Sequence, residues 1–316
     1  MKKIVAIIVG GTGQFGLTVA KKLIKKNYKV IITTRFNNKK NIIIKKNLKV
    51  CKLNIYNKTE IKKIIKKNNP NIIFYFAGQS SPKLSFVQKR ETFKSNVLGC
   101  KNFLEILYKY KKNCKFLNAS SCEIFGNIKG KIKVSSPKRP VNPYGIAKLQ
   151  SYKITKFFRI KNNLKTYNAI IFNTESYLRA KDYLIPKICI AAIKAKKYGT
   201  ITEFGNLKIS REWNWCEEQS EYLLKFINKE PQDFILSNGK NFSAKQMLTY
   251  AFKYFKIDYS KYILTNNKYL RKKDVQNKFS NYSSCLKRNG IKRKTIIFGE
   301  KLMKLMIKNY LDEKKY

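Results

Sequence analysis

The pair of residues best suited to chemistry in this sequence is Tyr144 and Lys148, within Asn142-Pro143-Tyr144-Gly145-Ile146-Ala147-Lys148. On a helix, residues four apart share a face, so the phenol and the ammonium stand side by side. A neighbouring ammonium favours the ionised phenol, which makes Tyr144 a usable acid or base although tyrosine ordinarily titrates near ~10. YxxxK also arises by chance in a lysine-rich chain, so the weight falls on the segment before it. That segment reads Asn118-Ala119-Ser120-Ser121-Cys122-Glu123-Ile124-Phe125-Gly126. Alternate residues leaving a strand share a face, so Ser121 and Glu123 are expected to point at one site. Ser121 offers a hydroxyl to a substrate oxygen, and Glu123 adds a carboxylate able to move protons. Either residue could instead cap a loop. The order of glycine turn, Ser121/Glu123 and YxxxK along the chain favours chemistry.

The glycine turn is Gly10, Gly13 and Gly16, with Gln14 and Phe15 between the last two. A dinucleotide pyrophosphate needs close backbone approach and the N–H groups of a helix N-terminus, and glycine permits both. The next strand ends Thr33-Thr34-Arg35, with no acid. An acid there serves ribose hydroxyls and an arginine suits a 2′-phosphate, so NADP is the expected cofactor and NAD the alternative. Arg35 could also be a plain surface cation.

These residues need elements to hold them. Ile4–Val9 is a continuous apolar run, the pattern of a strand buried on both faces, and residues 17–26 read as an amphipathic helix. Strands are expected at 29–34, 49–53, 71–77, 115–119 and 166–172, and helices at 60–67, about 84–110 and 144–161. Strands alternating with helices imply an α/β fold with a doubly wound parallel sheet. Beyond 175 the alternation loosens, so the expected organisation is a dinucleotide-binding region over 1–175 and a smaller substrate-binding region over 176–316, with interleaving allowed. The helices at 84–110 and 144–161 could pair in a dimer.

Of 316 residues, 69 are Lys or Arg and 18 are Asp or Glu, for a formal charge of +51. The lysines are spread along the chain rather than clustered, which argues against a dedicated nucleic-acid surface and leaves a general attraction for anions. Seven cysteines stand singly with no histidine in the chain, so no metal site is expected and a reduced cytoplasmic setting fits. The start MKKIVAIIVGGTG runs straight into a glycine turn and reads as a strand rather than a signal peptide. No stretch is long and apolar enough to suggest a membrane span.

The segments together resemble the GDP-mannose 4,6-dehydratase family within the extended short-chain dehydrogenases/reductases. ASSCEIFG at 119–126 is similar to the family's ASTSELYG, and FAGQSSPKLSF at 76–86 to its LAAQSHVKVSF. Phe172-Asn173-Thr174-Glu175-Ser176 resembles FNHES, GNLKISREW at 205–213 resembles GNLDAKRDW, and Arg271 and Asp274 resemble its RPxEVD segment. The resemblance implies a Rossmann-like sheet with a C-terminal substrate region and catalysis by Ser121, Glu123, Tyr144 and Lys148. It further implies cofactor contacts from the glycine turn, Arg35, Asn54, Ala77, Gln79, Tyr144, Lys148 and Arg179. A GDP-sugar would meet Ser80, Ser85, Asn173, Glu175, Lys187, Arg211, Arg271 and Asp274. A homodimer or homotetramer is the implied assembly.

Several positions depart from the family pattern: Asn54 stands for an acid near the adenine, Cys122 for serine, Pro186 for arginine and Trp215 for histidine. The loop Phe36–Lys40 is altered as well. These departures bear on the sugar and the assembly more than on the chemistry. The alternatives are a reductase or epimerase of a nucleotide sugar, which needs no Glu123, and a catalytically idle dinucleotide-binding sensor or scaffold.

Overall fold

A computed structural model of the chain describes residues 3–35, 47–128, 130–266, 268, 279–292 and 297–312. The first apolar run forms β1 (Val5–Val9), followed by α1 (Gln14–Lys25), β2 (Lys29–Thr34), β3 (Leu48–Lys52), α2 (Lys58–Asn68) and β4 (Ile72–Tyr75). The helix expected over 84–110 is divided into α3 (Pro82–Ser85), α4 (Lys89–Phe93) and α5 (Gly99–Tyr110), with a π turn over Lys94–Leu98 joining the last two. β5 (Lys115–Ser121), α6 (Pro143–Asn162), β6 (Thr166–Ile171) and, later, β7 (Asp233–Leu236) complete the sheet.

The seven strands run in the order β7-β6-β5-β4-β1-β2-β3, every pair parallel. The doubly wound α/β sheet expected from the alternating pattern is therefore present. β1 has β2 on one side and β4 on the other, which creates the switch point where such sheets take ligands at the carboxyl ends of their strands. Register aligns those ends: Val9 lies opposite both Thr33 and Tyr75, Thr34 opposite Lys52, and Ser121 opposite Ile171. The loops that carry Gly10, Arg35, Asn54, Ala77 and Glu123 therefore all leave the carboxyl ends of the strands. On one face Ile7, Ile31, Ile73 and Phe116 bury against Ile61 and Ile65 of α2 and Phe103 and Leu107 of α5. Each such side chain contributes roughly 1.5–3 kcal/mol on burial, enough to hold the strand ends in register.

The chain forms two compact units. The first comprises Met1–Gly126, Val134–Ile171 and Ser220–Leu236, and the second comprises Asn127–Lys133, Phe172–Gln219 and Ser237–Tyr316. Ser220–Leu236, from beyond the 175/176 boundary drawn on the sequence, supplies β7 to the first unit, so elements of the two interleave. In the second unit, α7 (Leu184–Tyr198), α9 (Ala244–Tyr254) and α11 (Gly299–Asp312) share a core that includes Ile188, Ala192, Met247, Leu248, Met303 and Ile307. The helix between α7 and α9, α8 (Cys216–Phe226), contains the point where the chain passes back to the first unit, and α10 is Tyr282–Arg288. Short strand pairs brace the second unit, among them Thr174–Glu175 with Asn214–Trp215 and Phe279–Ser280 with Lys131–Ile132.

Candidate active site

Two glycines of the turn are required by the protein's own packing. Gly10 has φ 74°, and a Cβ there would lie 2.7 Å from the Ala77 backbone. A Cβ on Gly16 would lie 2.5 Å from Gly11, so the first turn of α1 closes directly onto the loop. Gly13 differs. Its φ is −77°, and a Cβ would meet only the Gly10 carbonyl at 3.6 Å. α1 begins there with no capping side chain and no acid in its first turn. An uncapped helix N-terminus beside a position kept small suits an anion such as a pyrophosphate. Phe15 stacks on Phe76 with centroids 5.7 Å apart, which ties the turn to the loop after β4.

That loop is held from the π turn. Gln79 N donates to Ser95 Oγ (3.1 Å), Asn96 Nδ2 donates to the Gln79 carbonyl (3.0 Å), and Tyr75 Oη donates to the Ser95 carbonyl (2.7 Å). The extra residue of a π turn shifts side chains relative to an α-helix, and such bulges favour functional positions. Gln79 Oε1 and Ser120 Oγ are buried without a hydrogen-bond partner. Leaving each so costs about 1–3 kcal/mol, which a ligand's polar groups would recover. With the open Gly13 side, these atoms fit a dinucleotide. Asn54 accepts from Tyr56 N (3.0 Å) and so closes the turn after β3. Ser80 is exposed, and Ser85 is buried with its hydroxyl donating to the Pro82 carbonyl (2.7 Å).

Ser121 and Glu123 come together by a different route from the one expected. The strand stops at Ser121, and Cys122–Phe125 form a 3₁₀ turn, so alternation along a strand does not apply. Ser121 Oγ accepts from Glu123 N (3.2 Å) and caps that turn. Asn142 then joins the turn to α6: its Oδ1 accepts from Gly145 N (2.8 Å), and its Nδ2 donates to Glu123 Oε2 (2.8 Å). A Cβ on Gly145 would lie 2.7 Å from the Glu123 carbonyl, so the close approach of the two segments depends on glycine there. Tyr144 and Lys148 are both largely buried. Lys148 Nζ lies 5.7 Å from the centroid of the Tyr144 ring and donates to the Ala119 carbonyl (2.8 Å). Burial lowers the Lys148 pKa to about 8. Asn142 was missed on the sequence as a working residue, although Asn-Pro opening a helix is an N-cap signal.

In the second unit, Glu175 is buried, and burial raises its pKa to about 7 against the opposing charge of Arg179. Arg179 Nη1 donates to Glu175 Oε1 (2.6 Å) and to the Thr174 carbonyl, and its guanidinium lies over the Tyr183 ring. The Asn173 carbonyl accepts from Asn214 N and Nδ2. Lys187 Nζ donates to the Glu203 carbonyl (2.6 Å). Arg211 is buried, with Nη1 donating to the Ser210 carbonyl (2.8 Å). Its neighbour Glu212 is a buried hub that accepts from Ser237 Oγ, Gly239 N and the backbone N and hydroxyl of Ser280. That hub anchors Phe279–Ser280. Arg271, Asp274 and the loop Phe36–Lys40 lie outside the described residues. Among the described residues no group of three His, Cys, Asp or Glu could hold a metal, and no helix is long and apolar enough to cross a membrane.

The chain matches the family model described as GDP-mannose 4,6 dehydratase over residues 7–305. It is 31% identical over 271 residues to a GDP-mannose 4,6 dehydratase of Homo sapiens, covering 78% of this chain and 71% of that protein. It is 30% identical over 268 residues to GDP-mannose 4,6 dehydratase 2 of Caenorhabditis elegans, covering 78% and 70%. Among solved structures it is similar to a UDP-glucose 4-epimerase of Thermotoga maritima, with TM-score 0.87 and 21% identity over 99% of this chain and 100% of that one. A dTDP-glucose 4,6-dehydratase of Bacillus anthracis, solved in complex with NAD, gives TM-score 0.86 and 17% identity over 99% and 98%.

Proposed function

The chain belongs to the GDP-mannose 4,6-dehydratase family, and from that membership we propose that it converts GDP-mannose to GDP-4-keto-6-deoxy-mannose with loss of water. The observation that carries the reading is Glu123, tied by Asn142 to the start of the helix that bears Tyr144 and Lys148. A simple carbonyl reduction has no use for that carboxylate. When bound, a nicotinamide dinucleotide supplies a hydride acceptor for C4 of the sugar and later a hydride donor for C6. Tyr144 withdraws the proton of the C4 hydroxyl, and the Lys148 ammonium favours its phenolate. Ser121 hydrogen-bonds the C4 oxygen. Once C4 is a ketone, C5–H is acidic, and Glu123 removes that proton and passes it to the departing C6 hydroxyl, which leaves as water. Return of the hydride to C6 is balanced by a proton restored to C5.

For the cofactor, the residues suited to hold it are Gly10, Gly13, Gln14, Phe15, Gly16, Arg35, Asn54, Ala77 and Gln79, with Tyr144 and Lys148 at the reactive end. Arg35 favours NADP over NAD. Motif position alone assigns Arg179 to the cofactor and Ser80, Ser85, Asn173, Glu175, Lys187, Arg211, Arg271 and Asp274 to the GDP-sugar. Buried guanidinium suits a diphosphate because it makes paired hydrogen bonds to phosphate oxygens. All seven cysteines are free thiols, in keeping with a cytoplasmic setting.

Mass spectrometry after incubation with a panel of nucleotide sugars tests the reading. The expected result is loss of one water from GDP-mannose with only catalytic cofactor. Stoichiometric oxidation of NADPH without dehydration would sink it in favour of a reductase.

A further inference from the structure

At the carboxyl end of β2, Arg35 Nη1 pairs with Glu91 Oε1 at 2.9 Å. Tyr56 Oη lies 3.2 and 3.3 Å from the two oxygens of the same carboxylate and donates to it. Three segments distant in sequence meet here: the residue after β2, the turn after β3, and the first turn of α4. Register fixes the first two, since Leu53 N donates to the Thr34 carbonyl (3.0 Å). Glu91 is fixed through its own backbone, because Ser95 Oγ donates to the Glu91 carbonyl (2.7 Å) while accepting from Gln79 N. Burial and the Glu91 charge push the Tyr56 phenol up to about 12, so it remains a donor to the carboxylate.

Where an NAD site carries an acid at the end of this strand, Arg35 follows β2 instead, yet an acid stands beside that arginine, supplied by α4. We propose that Glu91 is a determinant of cofactor choice: it competes with a ribose 2′-phosphate for Arg35 and so restrains the preference for NADP that Arg35 creates. This rests on the reading of Arg35 as the group that takes the 2′-phosphate. An incoming 2′-phosphate meets a guanidinium already neutralised, and it must settle near a like-charged carboxylate. A free 2′-hydroxyl makes no such demand and leaves the pair intact. The Arg35 and Glu91 side chains are 65% and 38% exposed, so the pair is screened and open to exchange of partners.

The test is calorimetric titration of the full chain with NADP⁺ and with NAD⁺, using the unmodified protein, Glu91→Gln, Arg35→Ala and the double variant. Glutamine still accepts from Tyr56, so only the charge is removed. Glu91→Gln is expected to tighten NADP binding roughly fivefold relative to NAD binding, the scale of one exposed ion pair. The gain should shrink as salt is raised and disappear in the Arg35→Ala background. If Arg35→Ala shifts the NADP-to-NAD ratio while Glu91→Gln does not, the role of Glu91 is overturned and the reading of Arg35 survives. A ratio unmoved by either change overturns both. A gain that persists in full without Arg35 overturns the competition.

Discussion

Glu123 accepts a hydrogen bond from the Asn142 amide, and a glutamine in its place can accept the same bond through its carbonyl oxygen. Glu123→Gln therefore removes the proposed base while keeping the turn. Dehydration should fall by roughly 10² to 10⁴, the usual contribution of a general base, and exchange of the C5 hydrogen in deuterated water should fall with it. The first oxidation, which we assign to Tyr144 and Lys148, should persist and leave reduced cofactor bound. Exchange at the unmodified rate would show that another group takes the proton. Lys148 adds a pH dependence. Its ammonium is present below about 8 and lost above it, so kcat/KM should decline on the alkaline side through that region. In Lys148→Arg the charge survives to higher pH, and the decline should move upward. An unmoved decline in that variant would assign it to another group. Tyr144 and Lys148 were legible because both lie on one helix, as did the glycines within one turn. Glu91 was not legible as the partner of Arg35, because only the register of β2 and β3 and the packing of α4 bring them together.

At the scale of elements, the arrangement that the proposed chemistry needs is the junction of the 3₁₀ turn Cys122–Phe125 with the N-terminus of α6, and Asn142 bonds to both sides of it. Serine caps a helix about as well as asparagine but has no amide to offer Glu123. Asn142→Ser should therefore leave the thermal midpoint near that of the unmodified protein while kcat falls about tenfold or more, the scale of one hydrogen bond to a charged group. KM should move less than kcat, since the defect lies in the aim of the carboxylate. An unchanged kcat would mean that Glu123 is held without Asn142. The alternating strands and helices of the first half were legible because each carries its own apolar period. The division of the 84–110 helix was not: the π turn arises where Ser95 and Asn96 reach the backbone of the loop at Gln79, a contact between distant segments. Asp233–Leu236 is four buried residues whose place beside β6 depends on a long return of the chain. Nothing local announces that return.

For the whole molecule, a formal charge of +51 favours a diphosphate-linked substrate at long range and opposes any meeting of two copies. An apolar strip nevertheless faces solvent on the first unit. Ile146, Phe157 and Ile160 lie on one side of α6 and are 46%, 55% and 62% exposed. Phe157 packs edge-on against Phe158, as does the half-exposed Tyr108 of α5, so the strip continues from one helix to the next. Single exposed apolar residues need no explanation, but a strip along one helix face is suited to a second copy of the chain. Homodimerisation through α5 and α6 is the expected outcome, and its salt dependence identifies the forces. Repulsion between like charges is screened beyond ~10 Å at 0.1 M salt, whereas burial of apolar surface is not weakened by screening. The dimer should therefore tighten as salt rises, as sedimentation velocity can follow. Phe157→Glu combined with Ile160→Glu lowers the net charge of each copy, so dissociation in that variant could not come from added overall repulsion. It should sediment as a monomer at salt concentrations where the unmodified chain is a dimer. A variant that still pairs as tightly as the unmodified chain would place the interface elsewhere.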